Sequence, residues 1–171
     1  MKHFISRRNF LKAAGVTAAA SAMAAAVPQA SAGFLTGKDA AVTILYTNDV
    51  HTYIDNKSPK LTYAAIAAMK QGYVDEGKPV LLVDAGDHIQ GTAYGSMDDG
   101  ATIIELMNEA GYDIATPGNH EFDYGMARAK AIIKEADFPY VSCNWVDLRT
   151  GLRVLPAVKL FPAGGKWIAF V

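Results

Sequence analysis

With a single cysteine, Cys143, this 171-residue chain can form neither an internal disulfide nor a cysteine-built zinc cluster. It also lacks an excess of positive charge, since 16 basic residues stand against 17 acidic ones. That balance hides an asymmetry. Lys2, Arg7, Arg8 and Lys12 fall within the first 32 residues, which hold no acid, leaving 12 basic against 17 acidic residues beyond them. A mildly acidic body lacks the basic footprint of a nucleic-acid binder, and no such binding is expected. Histidine is scarce, with His3, His51, His88 and His120 making up all four. There is no internal repeat, no low-complexity linker past residue 32, and no apolar run of the roughly 20 residues that a membrane-spanning helix needs. What remains is globular in composition, 51% apolar and 19% charged, with enough chain for one real core. Cys143 lies in the apolar stretch from Tyr140 to Asn144 and reads as a buried thiol.

The first 32 residues read as an address rather than structure. Ser6-Arg7-Arg8-Asn9-Phe10-Leu11-Lys12 precedes an alanine-rich, weakly apolar run from Ala13 to Val27, and Ala30-Ser31-Ala32 supplies the small residues that a signal peptidase accepts. The paired arginines resemble a twin-arginine signal, which implies export to the periplasm or the extracellular space. The membrane is then met only in transit. Cleavage is expected after Ala32, with Gly33 to Ala41 as a loose leader.

Beyond the leader, short β-branched runs alternate with helical patterns. Val42–Tyr46 and Val80–Val83 read as buried strands, Asp113–Thr116 and Tyr140–Cys143 as shorter ones. Leu61–Glu76 reads as an amphipathic helix stopped by Gly77 and Pro79, Thr102–Ala110 as a helix capped by Gly111, and Met126–Ala136 as a third. Gly91 to Gly100 reads as a loop. Ala157–Phe161 and Lys166–Val171, joined through Ala163-Gly164-Gly165, read as a hairpin. The alternation predicts an α/β fold around a mostly parallel sheet. Sites in such sheets lie at the carboxyl ends of strands. Asp49, His51, Asp84, Asp87, Asn119 and His120 all fall there.

Those residue types suit divalent cations that hold a phosphate and activate water. Asp49 and His51 flank one residue, so a turning backbone lets both reach one cation. Asp87, between Gly86 and a loop, can approach closely enough to bridge two cations about 3.5–4 Å apart. Asn119 offers a neutral oxygen to the metal while His120 faces the substrate. Asp123 can accept the second imidazole N–H and fix the ring's tautomer. An imidazolium there stabilises charge developing on a leaving oxygen. His88, directly after Asp87, reads as a partly exposed loop histidine, and Gln90 to Tyr94 and Glu121 as supporting residues.

Asn48-Asp49-Val50-His51, Gly86-Asp87-His88-Ile89-Gln90-Gly91-Thr92 and Gly118-Asn119-His120-Glu121-Phe122-Asp123 resemble successive motifs of the calcineurin-like metallophosphoesterases. More narrowly they resemble the secreted 5′-nucleotidase branch, which includes UDP-sugar hydrolases and 2′,3′-cyclic nucleotide phosphodiesterases. The likeness runs from Val42 to Val171. It implies a four-layer α/β/β/α sandwich and two divalent metals, zinc, manganese or similar. Asp49, His51 and Asp87 would hold one metal, Asp87 and Asn119 the other, and a His120–Asp123 pair would act at the transition state. Asn119 and His120 would also contact the substrate. Bound hydroxide would attack phosphorus in line and release phosphate from a nucleotide or another phosphate ester.

Family members complete their metal centre with histidines well past the asparagine–histidine motif, and none follows His120 here. A C-terminal domain that binds the nucleobase is also absent. The expectation is therefore an N-terminal portion of a longer protein, inactive or weakly active alone. Two other expectations stand beside it. One is a small self-sufficient phosphoesterase in which His88 or water replaces the missing ligands. The other is an exported, non-catalytic module that binds metal or a partner.

Overall fold

The structure, a computed structural model, describes residues 41–54 and 62–171. The signal segment, nearly all of the leader and the expected helix start at Leu61 lie outside the described residues.

Strand β1 (Thr43–Thr47) is followed by helix α1 (Tyr63–Asp75), β2 (Val80–Asp84), a short helix α2 (Ala93–Ser96), α3 (Ala101–Ala110) and β3 (Ile114–Ala115). A 3-10 turn over His120–Phe122 then leads into α4 (Met126–Glu135) and the hairpin strands β4 (Lys159–Ala163) and β5 (Lys166–Phe170). The first three strands form one parallel sheet in the order β1-β2-β3. Each crossover steps the same way along the sheet, and right-handed crossovers of that kind put their helices on one face. Accordingly α1 packs on α3 and α3 on α4.

Helix α1 starts where Thr62 accepts the Ala65 amide in its side chain, at 3.2 Å. Helix α3 presents Ile103, Ile104, Met107 and Ala110 inward, the spacing of one helical face. It stops at Gly111, whose φ of +78° is the left-handed cap expected there. These side chains meet Leu82, Tyr63, Ile66, Tyr112, Ile132, Phe138 and Tyr140 in one core. Fully burying one such side chain as large as Leu82 stabilises the fold by about 1.5–3 kcal/mol. No helix among the described residues is long and apolar enough to cross a membrane.

The hairpin is where it was expected. Ala163 pairs with Lys166 across Gly164 and Gly165, and both glycines have positive φ, at 56° and 74°. A two-residue loop with both positions in that region suits the right-handed twist of the strands. Three local readings change. The stretch from Gly91 to Gly100 is not all loop, because Thr92 caps the short helix α2. The expected strand from Tyr140 to Cys143 shrinks to one parallel bridge, between Ala115 and Tyr140. The Ser142 amide instead donates to the Pro156 carbonyl at 3.0 Å, and the Ser142 hydroxyl accepts the Trp145 amide at 3.2 Å. The chain therefore turns outward at Ser142, which leaves Cys143 exposed rather than buried.

Candidate metal centre

Three loops at the carboxyl end of the parallel sheet build the site. After β1 and β2 the ladder does not stop. The Asp49 amide donates to Gly86 O at 3.1 Å and the His51 amide to Asp87 O at 3.0 Å, so the two loops run on side by side. Asp49, His51, Thr52 and Asp87 all take positive φ, at 53°, 48°, 58° and 59°. None is glycine, and each such residue costs about 1 kcal/mol or more. Strain of this kind persists only where surrounding contacts over-determine it, and three of these four, Asp49, His51 and Asp87, are candidate ligands.

The third loop comes close because Gly118 has no side chain. A Cβ there would lie 2.3 Å from Asp87 Oδ1 and 2.7 Å from the Asp87 amide nitrogen. Glu121 closes the arrangement from beneath. Its buried carboxylate accepts the amides of Asp87 and His88 at 2.8 Å each, of Gly118 at 2.5 Å and of Ile89 at 3.3 Å. The supporting part expected of Glu121 thus has a definite form, in which one carboxylate binds two ligand loops together.

On this frame a ligand-type atom from each of His51, Asp87 and His120 lies within 4.8 Å of the other two. Ligands bound at about 2.0–2.2 Å on opposite sides of one cation are at most about 4.4 Å apart, so a separation of up to 4.8 Å is slightly wider than one cation spans and the side chains would close in on binding. His51 turns Nδ1 to the Gln90 carbonyl at 3.0 Å and its Nε2 faces Asp49 Oδ1 at 3.6 Å. His120 turns Nδ1 to Asp123 Oδ2 at 2.7 Å. In both rings Nε2 is left for the site, where it takes a cation if the ring is neutral and donates a proton if the ring is protonated. Asp87 Oδ1 accepts the His120 amide at 2.8 Å. The two rings meet edge to face, 4.9 Å between centroids. The hydrogen bond that His120 donates to Asp123 raises the imidazole above the ordinary histidine value. This imidazole and carboxylate donor set fits a divalent cation.

The structure thus brings together Asp49, His51, Asp87, His120 and Asp123. Asn119 stands exposed one residue before His120, and no hydrogen bond among the described residues fixes its side chain.

His88 departs from its expected place. It is fully buried, with Nδ1 2.7 Å from Asp84 Oδ1 and Nε2 2.8 Å from the Tyr140 hydroxyl. Burial pulls the imidazole down, but the Asp84 charge and hydrogen bond, with Glu121 and Asp87 behind them, leave it above its ordinary value. With both nitrogens occupied it cannot stand in for a missing ligand. Asp84 also takes the Thr47 hydroxyl at 2.6 Å, and Thr47 meets the Tyr112 hydroxyl at 2.8 Å. This buried chain of polar groups went unseen in the sequence, where the only signal was an aspartate ending an apolar run.

Imidazoles and carboxylates at the ends of parallel strands, held by strained turns, make a candidate divalent-metal centre. The chain belongs to the calcineurin-like phosphoesterase family, whose description matches residues 42–167. Residues 5–27 match the signal sequence of the twin-arginine translocation pathway, which marks the chain for export. Among its relatives, a snake venom 5′-nucleotidase from Gloydius brevicauda is 39% identical over 114 residues, 60% of this chain and 19% of that protein. The 5′-nucleotidase of Bos taurus is 37% identical over 115 residues, again 60% of this chain and 20% of the relative. Among solved structures, a 5′-nucleotidase precursor from Thermus thermophilus superposes with a TM-score of 0.65 at 28% identity, over 75% of this chain and 27% of that one. The NAD nucleotidase of Haemophilus influenzae gives 0.63 at 27% identity, over 75% and 25%. The chain spans about a fifth of the length of the curated relatives it matches.

Proposed function

We propose that the protein is an exported, metal-dependent phosphohydrolase of the 5′-nucleotidase type, acting on phosphate esters of nucleotides. The observation that carries this is the cluster of His51, Asp87 and His120, in which each imidazole is held through Nδ1, leaving Nε2 for the site. The 5′-nucleotidase relatives support the nucleotide, and the family supports the ester. Asp49, His51 and Asp87 hold one cation in this reading, and Asp87 with Asn119 the second. Bound divalent cations supply Lewis-acid polarisation of the phosphoryl group and an acidified water. His120 donates toward the leaving oxygen, and Asp123 holds its ring in the donating orientation. Asn119 and His120, both at the rim, contact the phosphate.

The test is release of phosphate from AMP by the full-length protein, with Mn²⁺ or Zn²⁺ added and with EDTA. UDP-glucose and 2′,3′-cyclic AMP run alongside decide the branch. Turnover is expected to vanish in EDTA. Asp87→Asn is expected to cost more than the about 10- to 100-fold that follows loss of a ligand's supporting hydrogen bond. Turnover that survives EDTA, or an Asp87→Asn protein as active as wild type, overturns the proposal. Tight metal binding with no turnover on any ester favours a non-catalytic metal-binding module.

A further inference from the structure

We propose that His88 is a positioning residue for the metal centre, setting the turn that carries Asp87. The proposal rests on the reading of Asp87 as a metal ligand. Its ground is a buried polar chain that ties the turn on both sides of that residue.

The turn from Asp84 to Asp87 is short and strained, with Asp87 at φ +59°. Asp84 ends β2 and is itself buried. Its Oδ1 accepts two donors, the Gly86 amide at 2.8 Å inside the turn and His88 Nδ1 at 2.7 Å just past it. That one oxygen therefore ties both flanks of Asp87. The far side of the imidazole reaches the Tyr140 hydroxyl at 2.8 Å, on the segment that bridges Ala115 beside β3. The His88 amide goes to Glu121, which also holds the Asp87 amide. The ring thus spans the sheet from the end of β2 to the segment beyond β3, and Asp87 rides on the backbone between its two anchors.

An apolar ring at this position fills the space but makes neither bond. It takes one donor from a buried carboxylate and leaves the buried Tyr140 hydroxyl without this partner. A glutamine can restore both bonds, since its amide donates to Asp84 and its carbonyl accepts from Tyr140.

Mn²⁺ alone is the probe, titrated calorimetrically into the full-length protein well below its unfolding temperature, with thermal unfolding in EDTA measured in parallel. For His88→Phe the Mn²⁺ dissociation constant is expected to rise by about 10- to 100-fold, the range for losing an outer hydrogen-bond partner of a metal site. His88→Gln is expected to recover to within about threefold of wild type, because it restores both bonds. Tyr140→Phe, which deletes one oxygen, is expected to weaken Mn²⁺ binding in the same direction. Combined with His88→Phe it should add nothing, since the two changes break one shared bond. A His88→Phe protein that unfolds earlier yet binds Mn²⁺ as wild type does makes His88 a core residue only and overturns the proposal. Should His88→Phe fail to fold, unchanged Mn²⁺ affinity in Tyr140→Phe overturns it equally. Wild-type protein that binds Mn²⁺ but releases no phosphate defeats the proposed function and leaves the affinities to decide the role of His88. If Asp87→Asn binds Mn²⁺ undiminished, the ligand reading and the positioning role both fail.

Discussion

Replacing Glu121 by glutamine removes one acceptor oxygen and changes the shape of the side chain hardly at all. In the folded protein Glu121 Oε2 faces the amides of Asp87 and Gly118, and Oε1 those of His88 and Ile89. Whichever way a glutamine amide is turned, its NH₂ points at two backbone N–H groups. Two buried donors lose their acceptor, at about 1–3 kcal/mol each, or about 2–6 kcal/mol together. Against a total stability of about 5–15 kcal/mol this is a large fraction. At about 3 °C per kcal/mol for a chain of this size, the midpoint in EDTA is expected to fall by about 6–18 °C. A second effect separates the site from the fold. Mn²⁺ is expected to stabilise wild type by an amount that grows with its affinity. Three of the four amides, those of Asp87, His88 and Gly118, belong to or adjoin the candidate ligands Asp87 and Asn119, so the gap between the EDTA and Mn²⁺ midpoints is expected to shrink in Glu121→Gln. Differential scanning calorimetry reads both quantities. A midpoint within about 2 °C of wild type in EDTA refutes the reasoning, since it means that these amides find other partners at little cost.

Gly118→Ala puts a carbon 2.3 Å from Asp87 Oδ1. The displaced carboxylate is expected to lower Mn²⁺ affinity by about tenfold or more, measured calorimetrically. In metal-free protein the hydrogen bond donated to Asp123 holds His120 above its ordinary value of 6.5, as ring-proton NMR titration is expected to show. A raised folded-state value means that the pair stabilises the fold fully below pH 6.5 and loses that contribution as pH rises through the raised value. Asp123→Asn is expected to bring the titration back down, and a midpoint that does not move contradicts the pairing. The buried Tyr63 hydroxyl has no hydrogen-bond partner among the described residues. Tyr63→Phe therefore removes an unsatisfied group, and chemical denaturation is expected to show a stability unchanged or raised by up to about 1 kcal/mol.

How far the sequence carried is clearest at single residues. Thr43–Thr47 and Val80–Asp84 were legible because β-branched and aliphatic runs ending in turn residues have few other uses. The hairpin was legible because Gly164 and Gly165 accept positive φ without penalty. The candidate site residues Asp49, His51, Asp87, Asn119 and His120 could be picked out because they sit at strand ends in motifs a few residues long. Cys143 misled because an apolar neighbourhood in sequence does not show where the chain turns. The turn at Ser142 depends on the Pro156 carbonyl, which belongs to a segment much further along.

By itself, then, the sequence determined the alternating α/β order, the export signal, the family and the chemical kind of each candidate ligand. All of these rest on interactions among near neighbours, or on motifs that can be read in a line. Only the tertiary structure decided that His88 lies buried between Asp84 and Tyr140, that Glu121 gathers four amides from two loops, and that three ligand-type atoms, of His51, Asp87 and His120, converge within 4.8 Å. Whether a buried polar group is satisfied depends on partners that folding brings close from far along the chain. His88 and Tyr140 are 52 residues apart. No local pattern encodes such a meeting; the crossovers of the parallel sheet bring it about.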